Sequence, residues 1–261
     1  MTIFTGTGRS GTGYYANLFG GTHEFNVTEK LVPLMEKYLK DSLYYSKKYP
    51  LTKELKLQIM NDFFEDIDTD NFIDSSNVYM HFLDVLPLID KNVKIVLGVR
   101  DGKDFVKSAL YRGWHMDVKR YRNLSMVPPQ NHSDYLKFNE ENPIYRMAWM
   151  WKYYNEIGIN NLKKIDQKYW KIIKLENIVQ SIGIEELESF TGIKSIQNKI
   201  KEKVNINKYN EGDFITECLV KNDDSRIIIP DKLEWTEEMD IVFDHVAGDL
   251  YQEFGYKSSD G

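Results

Sequence analysis

The hydrophobic positions of the chain fall into short continuous runs that alternate with longer segments of helical periodicity. Continuous runs rich in β-branched and aromatic residues are typical of strands buried on both faces of a parallel sheet. These runs predict strands at 2–5, 24–27, 78–82, 93–99 and 170–176. Helical periodicity predicts a helix directly after the first strand, helical pieces over 29–66, a helix over 101–114, a long aromatic helix over 143–162 and a closing helix over 235–256.

Strands that alternate with helices in this order predict an α/β fold in three layers, with a parallel β-sheet flanked by helices. The 261 residues are enough for one domain over 1–261 with a large core. The pattern weakens over about 113–142, where two adjacent prolines and several asparagines interrupt it. Because loops of this length in a compact domain are usually functional, we expect this excursion to contribute to a binding site.

A glycine-rich turn, GTGRSGTG, lies between the first strand and the first helix. In such a turn the backbone N–H groups converge on an anion, and the helix dipole adds to the attraction. Gly6 and Gly11 match the nucleotide-hydrolase pattern G-x-x-x-x-G-K-[ST], but Thr12 and Gly13 stand where Lys and Ser or Thr are required. The cation is instead Arg9, whose guanidinium can clamp a tetrahedral oxyanion. The predicted phosphate- or sulfate-ester site consists of Gly8, Arg9, Ser10, Gly11, Thr12 and Gly13.

The segment TGTGRSGTGYYANLF resembles the 5′-phosphosulfate-binding loop of the sulfotransferase family, in which Lys or Arg followed by Ser-Gly-Thr opens a helix. That family has a second motif, an Arg at a strand end with a Ser eight residues later. The segment KIVLGVRDGKDFVKSALYRGW supplies both, as Arg100 and Ser108. KLENIV (174–179) and DLYQEFGY (249–256) are similar to later family elements, so the resemblance covers most of the chain. Gly13 departs from the pattern, since many relatives have a second Thr there.

The resemblance implies a P-loop NTPase-like sulfotransferase fold and a specific reaction. A sulfuryl group would move from the co-substrate PAPS (3′-phosphoadenosine 5′-phosphosulfate) to a hydroxyl or amine, with release of adenosine 3′,5′-bisphosphate. Arg100 and Ser108 would hold the 3′-phosphate, the loop amides the 5′-phosphate, and Arg9 would stabilise charge at the transferring group. The resemblance implies no metal ion. The expected acceptor is a small molecule or glycan, such as a saccharide, lipid or small alcohol, bound by the excursion at about 113–142.

Transfer to a hydroxyl also requires a base that removes the acceptor's proton, and a His or carboxylate near the loop is the expected group. The segment GGTHEFNVTEK offers His23, Glu24 and Glu29, and His115 follows the helix of Ser108. In some members of the family a Glu in this region is the base. The resemblance therefore favours Glu24 as the catalytic base, with His23 as its neighbour or substitute.

Charge and composition narrow the class of ligand. The formal net charge of −6 and a pI of about 5.5 provide no global positive field for nucleic acid or an anionic membrane. Residues 100–122, however, include seven basic and only three acidic residues, and this local excess of positive charge favours an anion site. Cys218 is the single cysteine, and no apolar run approaches the roughly 20 residues that span a bilayer. With no signal-peptide pattern, these features predict a cytoplasmic protein.

Other functions fit parts of the same pattern. A Mg-ATP-dependent kinase uses a similar architecture, but the absence of Lys-Ser/Thr after Gly11 disfavours it. A non-catalytic module would bind the nucleotide without turning over PAPS. A dinucleotide-binding loop fits less well, because Glu29 is the one nearby acid and no clear second βα unit frames it.

Overall fold

The computed structural model describes residues 1–41, 43, 46–111, 114, 127–129, 131–196 and 234–257. The chain divides into two compact units, Met1–Arg100 with Tyr154–Val204, and Asp101–Tyr153 with Asn205–Gly261. The first unit contains the whole described sheet and the glycine-rich loop. That the two units form one domain over 1–261 stays a prediction.

Five parallel strands make up the sheet of the first unit, and their spatial order is β2-β3-β1-β4-β5. The strands are β1 Thr2–Gly6, β2 Thr22–His23, β3 Ile73–Ser75, β4 Lys94–Val99 and β5 Trp170–Lys174. β1 is central and pairs with β3 on one side and β4 on the other. The chain leaves β1 toward one edge and leaves β4 toward the other, so the carboxyl ends of β1 and β4 form the switch point where α/β sheets bind ligands.

Ten α-helices and three shorter helical turns are present among the described residues. The α-helices are α1 Thr12–Phe19, α2 Val32–Leu39, α3 Lys53–Phe64, α4 Leu86–Ile89, α5 Gly102–Tyr111, α6 Tyr135–Glu140, α7 Pro143–Leu162, α8 Leu175–Val179, α9 Ile184–Thr191 and α10 Glu237–Glu253. A π-helical turn spans Val27–Leu31, and 3-10 turns span Asn77–His81 and Gln167–Tyr169.

Helices cover both faces of the sheet, because successive strand residues point to opposite faces. On one face, a buried cluster joins the strands to α1 and α9 through Phe4, Tyr15, Leu18, Val96, Ile173 and Leu187. On the other face Leu97 lies against Gly158 of α7, where an added Cβ would be 3.5 Å from Leu97 Cδ1. The predicted α/β fold with a helix-flanked parallel sheet is confirmed.

The strand predicted over 24–27 is wrong. β2 ends at His23, and Glu24 adopts a left-handed conformation with φ of 58°. The N–H of Thr28 then donates to the carbonyl oxygen of Glu24, which starts a helical turn in place of a strand. The alternation of Phe25 and Val27 resembles a strand, but Val27 is buried within the π-helical turn and Phe25 is exposed.

The strand predicted over 78–82 is also wrong, since this run forms the 3-10 turn Asn77–His81. Its continuous hydrophobicity reflects the burial of residues 79–82, and Ser76 caps the turn by accepting a hydrogen bond from the N–H of Val78. The actual strand, β3, carries two buried polar residues and therefore lacks an apolar run. His81 thus lies on a turn, where burial and the nearby Lys56 charge lower its pKa to about 3.

A substitution at Gly6 tests the close approach of the β1 and β4 backbones. A Cβ at this position would overlap the carbonyl oxygen of Gly98 and the Oγ of Ser10. We predict that Gly6→Ala lowers the free energy of unfolding by about 1–3 kcal/mol, because the β4 backbone must move. Urea denaturation measures the change.

The matched control is Gly248→Ala in the middle of α10. An added Cβ there would be 3.5 Å from Asp244 Cβ, an ordinary contact. Because Ala favours helix more than Gly does, this variant should be as stable as the wild type or more stable. Equal stability of the two variants would contradict the close approach at Gly6.

Candidate functional site

The glycine-rich loop is a closed turn between β1 and α1. Ser10 donates both its N–H, at 3.0 Å, and its Oγ–H, at 2.7 Å, to the carbonyl oxygen of Thr7. Gly11 then adopts φ of 90°, in a place where any Cβ would overlap the side chain of Leu175. The loop therefore needs glycine at position 11, both for its backbone conformation and for its packing. Gly11 is one of the residues on which the prediction of a specialised turn is based.

The first turn of α1 supplies backbone donors to this loop. Helix bonding begins at the N–H of Tyr15, which donates to Gly11, and no side chain caps the helix. The N–H groups of Thr12 and Gly13 therefore have no acceptor within the helix. An anion at this end of α1 would be held by these N–H groups and by the helix dipole.

Two buried hydroxyl groups lie at the same place without a hydrogen-bond partner among the described residues. These are the Oγ1 of Thr7, in the loop, and the phenol oxygen of Tyr15, near Gly98 at the end of β4. Burial, with a smaller contribution from Glu176, raises the pKa of Tyr15, so its hydroxyl stays protonated. Buried polar groups are almost always paired, and the described residues hold three further exceptions outside this loop, single atoms on Asn155, Trp170 and Asp244.

Arg9 and Arg100, predicted separately from the two motifs, are neighbours in the first unit. Arg100 follows β4, and its Nη1 donates to the carbonyl oxygen of Arg9 at 3.3 Å. Both side chains are half-buried, and Arg9 has φ of 71°, a conformation that is uncommon for a non-glycine residue. Tertiary structure thus brings the two predicted cationic residues together at the switch point.

His23 packs directly over the first turn of α1. Its Nδ1 is 3.0 Å from the carbonyl oxygen of Ser75, which can only accept, so Nδ1 carries the proton and Nε2 has a lone pair in the neutral ring. A Cβ on Gly13 would lie 3.4 Å from this Nε2. The glycine that departs from the family pattern is therefore the residue that makes room for the His23 ring.

The other predicted bases are placed differently. Glu24 is exposed, and its Oε1 lies 3.8 Å from Nε2 of His23. Glu29 is exposed on the π-helical turn. His115 lies outside the described residues.

Ser108 is half-buried on α5, in the second unit, and its predicted role stays a prediction. Of the predicted excursion at about 113–142, residues 113, 115–126 and 130 lie outside the described residues. Of its described part, Phe138 on α6 packs against Trp149, with ring centroids 5.3 Å apart.

Four residues of the site were not predicted from the sequence: Thr7, Tyr15, Asp74 and Ser75. Thr7 could have been found, because it is a hydroxyl residue within the glycine-rich turn. Asp74 and Ser75 could not, because their segment shows neither a motif nor an apolar run. Both are buried at the end of β3 and hydrogen-bonded to the segment that carries His23.

Within the part of the chain that the structure describes, no group of three or more His, Cys, Asp or Glu residues is arranged to hold a metal ion. Over the same residues, every helix is too short or too polar to cross a membrane.

Comparison with solved structures identifies domains of similar fold. The Sulfotransferase Domain from the Curacin Biosynthetic Pathway is 14% identical, with 98% of each chain covered and a TM-score of 0.52. The Sulfotransferase Domain from the Synechococcus PCC 7002 Olefin Synthase is 12% identical, with 98% of this chain and 94% of that chain covered and a TM-score of 0.44. No family model and no curated protein matches the sequence. The first of these structures shows that the chain has the fold of a sulfotransferase domain.

Proposed function

We propose that the protein is a sulfotransferase that uses PAPS as its sulfuryl donor. The observation that carries this proposal is the meeting of Arg9 and Arg100 at the carboxyl ends of β1 and β4. The Arg100 guanidinium at the loop and the helix N-terminus that follows the loop would suit a ligand with several phosphate or sulfate groups, and Arg9 adds a second cation to the same loop. The two motifs that resemble the family's donor-binding residues are therefore adjacent in space, although 91 positions separate them in the chain.

The residues present fit the donor. The N–H groups of Thr12 and Gly13 would hold the 5′-phosphate, and the unpaired Oγ1 of Thr7 would donate to one of its oxygens. The guanidinium of Arg9 would neutralise charge that develops on the transferring sulfuryl group. Arg100 would bind the 3′-phosphate, as the family resemblance implies.

His23 is the base that we favour, in place of Glu24. Its Nε2 lone pair lies at the first turn of α1, and its side chain is less exposed than that of Glu24. In the proposed step the acceptor oxygen forms a bond to sulfur while the bond from sulfur to the phosphate oxygen breaks. The acceptor's proton passes to Nε2, and the Glu24 carboxylate, 3.8 Å away, stabilises the resulting imidazolium.

The proposed acceptor is a hydroxyl or amine of a saccharide, lipid or small alcohol, and the proposed location is the cytoplasm. Sulfuryl transfer of this kind relies on alignment and charge stabilisation, as phosphoryl transfer does. In this proposal Arg9, His23 and the α1 N-terminus would supply these functions, and no metal ion would be required.

Donor binding is the first test. We expect adenosine 3′,5′-bisphosphate to bind equally with and without Mg²⁺ in calorimetric titrations, and Arg100→Ala to weaken binding about tenfold or more, since it removes a charged hydrogen-bonding group. Arg146→Ala is the matched control, because Arg146 lies on α7 and its Nε donates to the carbonyl oxygen of Glu141. Mg²⁺-dependent binding of ATP in preference to the bisphosphate would instead support a kinase.

Two buried threonines test the unpaired hydroxyl. Thr7→Val should leave the free energy of unfolding unchanged or higher, and it should weaken bisphosphate binding severalfold, since only the ligand uses Oγ1. Thr5→Val is the opposite case: Thr5 Oγ1 donates to Ser76 O at 2.8 Å, so its loss should lower the unfolding free energy by about 1 kcal/mol. Denaturation and calorimetry measure both, and full bisphosphate affinity in Thr7→Val would contradict the proposed contact.

The base is tested by PAPS turnover. We expect His23→Gln to lower kcat about 100-fold, while the affinity for the bisphosphate is retained, because the base acts on the acceptor. The assay follows bisphosphate release with methyl glucoside, 1-octanol or ethanolamine as probe acceptors. Glu24→Gln should lower kcat by less than about tenfold. The reverse order of the two variants would assign the base to Glu24, and binding without turnover on any probe would indicate a non-catalytic module.

A further inference from the structure

Asp74 is a carboxylate that lies fully buried in β3. Among the described residues it forms no ion pair. Its oxygens are satisfied by three neutral donors: Thr22 Oγ1 at 2.8 Å and the Ser75 N–H at 2.8 Å on Oδ1, and the Tyr79 hydroxyl at 2.6 Å on Oδ2. A buried charge is unfavourable without hydrogen-bond donors, so these three donors make the burial of the Asp74 carboxylate possible.

The hydrogen bond that Thr22 donates to Asp74 matters because the backbone pairing of β2 with the sheet is very short. The strand has two residues, both exposed, and among the described strands it pairs with β3 alone, through Thr22↔Asp74 and His23↔Ser75. Two residue pairs at a sheet edge provide few backbone hydrogen bonds. The side-chain bond from Thr22 to Asp74 adds a fixed point, and Asn26 Nδ2 donates to the same Thr22 hydroxyl at 2.9 Å.

Ser75, next to Asp74 in β3, links the Thr22–Asp74 hydrogen bond to His23 and to the start of α1. Its carbonyl oxygen accepts from Nδ1 of His23, at 3.0 Å, and from the N–H of Glu24, at 3.1 Å. Its Oγ donates to the carbonyl oxygen of Thr12, the first residue of α1, at 2.8 Å. A displacement of β2 along β3 would therefore break the His23 contact while the α1 contact stays in place.

We propose that Asp74 is a positioning residue which, through Thr22 and Ser75, holds the His23 ring in one tautomer with Nε2 directed to the first turn of α1. The proposal rests on the function proposed above, since His23 matters there as the base. Gly13 completes the arrangement from the other side, because a Cβ there would lie 3.3 Å from Cδ2 of His23.

The test uses the exposed end of this chain of hydrogen bonds, because Asp74→Asn could destabilise the core. Thr22→Val removes the hydroxyl from an exposed strand residue, and Thr22→Ser restores it. Thr28→Val is the matched control: Thr28 is exposed in the same segment, and its hydroxyl has no hydrogen bond among the described residues. The readout is the tautomer of His23 in long-range ¹⁵N–¹H correlation spectra of the full chain, assigned with His23→Gln.

We expect the Nδ1–H tautomer in the wild type. In Thr22→Val the tautomer ratio should shift roughly fivefold toward Nε2–H, the effect of one hydrogen bond, with a similar fall in kcat and no change in the KM for PAPS. Thr22→Ser and Thr28→Val should both give the wild-type spectrum. A wild-type tautomer ratio in Thr22→Val would overturn the positioning role.

Titration of the same variants with adenosine 3′,5′-bisphosphate separates this proposal from the proposed function. If the tautomer shifts but the wild type does not bind the bisphosphate, the positioning of His23 is supported and the sulfotransferase function is overturned. If the bisphosphate binds and the tautomer does not shift, the function stands and the role of Asp74 is overturned.

Discussion

The site depends on the close approach of β1 and β4 at their carboxyl ends, where Gly6 and Gly98 are paired. Neither position has space for a side chain: a Cβ on Gly98 would lie 2.7 Å from Tyr15 Cε2 and 3.2 Å from Ser10 O. The loop can therefore fold back onto the end of the sheet, and α1 begins directly above it. This places the backbone donors of α1 at the switch point, where a bulkier residue would displace them.

The polar groups around the site fall into two classes, according to whether the chain itself satisfies them. Asp74, Ser75 and Thr5 are buried and have short hydrogen bonds to neighbouring elements, so they support the architecture. The hydroxyls of Thr7 and Tyr15 are equally buried and have no such partner in the described part of the chain. An unpaired buried hydroxyl is unfavourable in the free protein, and an incoming oxyanion would remove that penalty on binding.

Electrostatics and backbone strain converge on the same few positions. The chain has a net charge of −6, yet the Arg100 guanidinium contacts the backbone of Arg9 in the loop before α1, so the attraction for an anion is local. Arg9 and Glu24 adopt positive φ values of 71° and 58°, which non-glycine residues rarely do. Such strain persists where surrounding contacts enforce it, and it is common at functional sites.

The α/β class, the loop and Arg100 were determined by the sequence itself, because each rests on local signals: hydrophobic period, glycine spacing and an Arg at a strand end. The predicted strands at 24–27 and 78–82 failed because burial and strand structure give the same apolar pattern. Only the tertiary structure decided that Ser75 holds His23, a pairing across 52 positions, and that Gly13 accommodates its ring. Contacts of that range depend on strand order and register, which local sequence patterns do not encode.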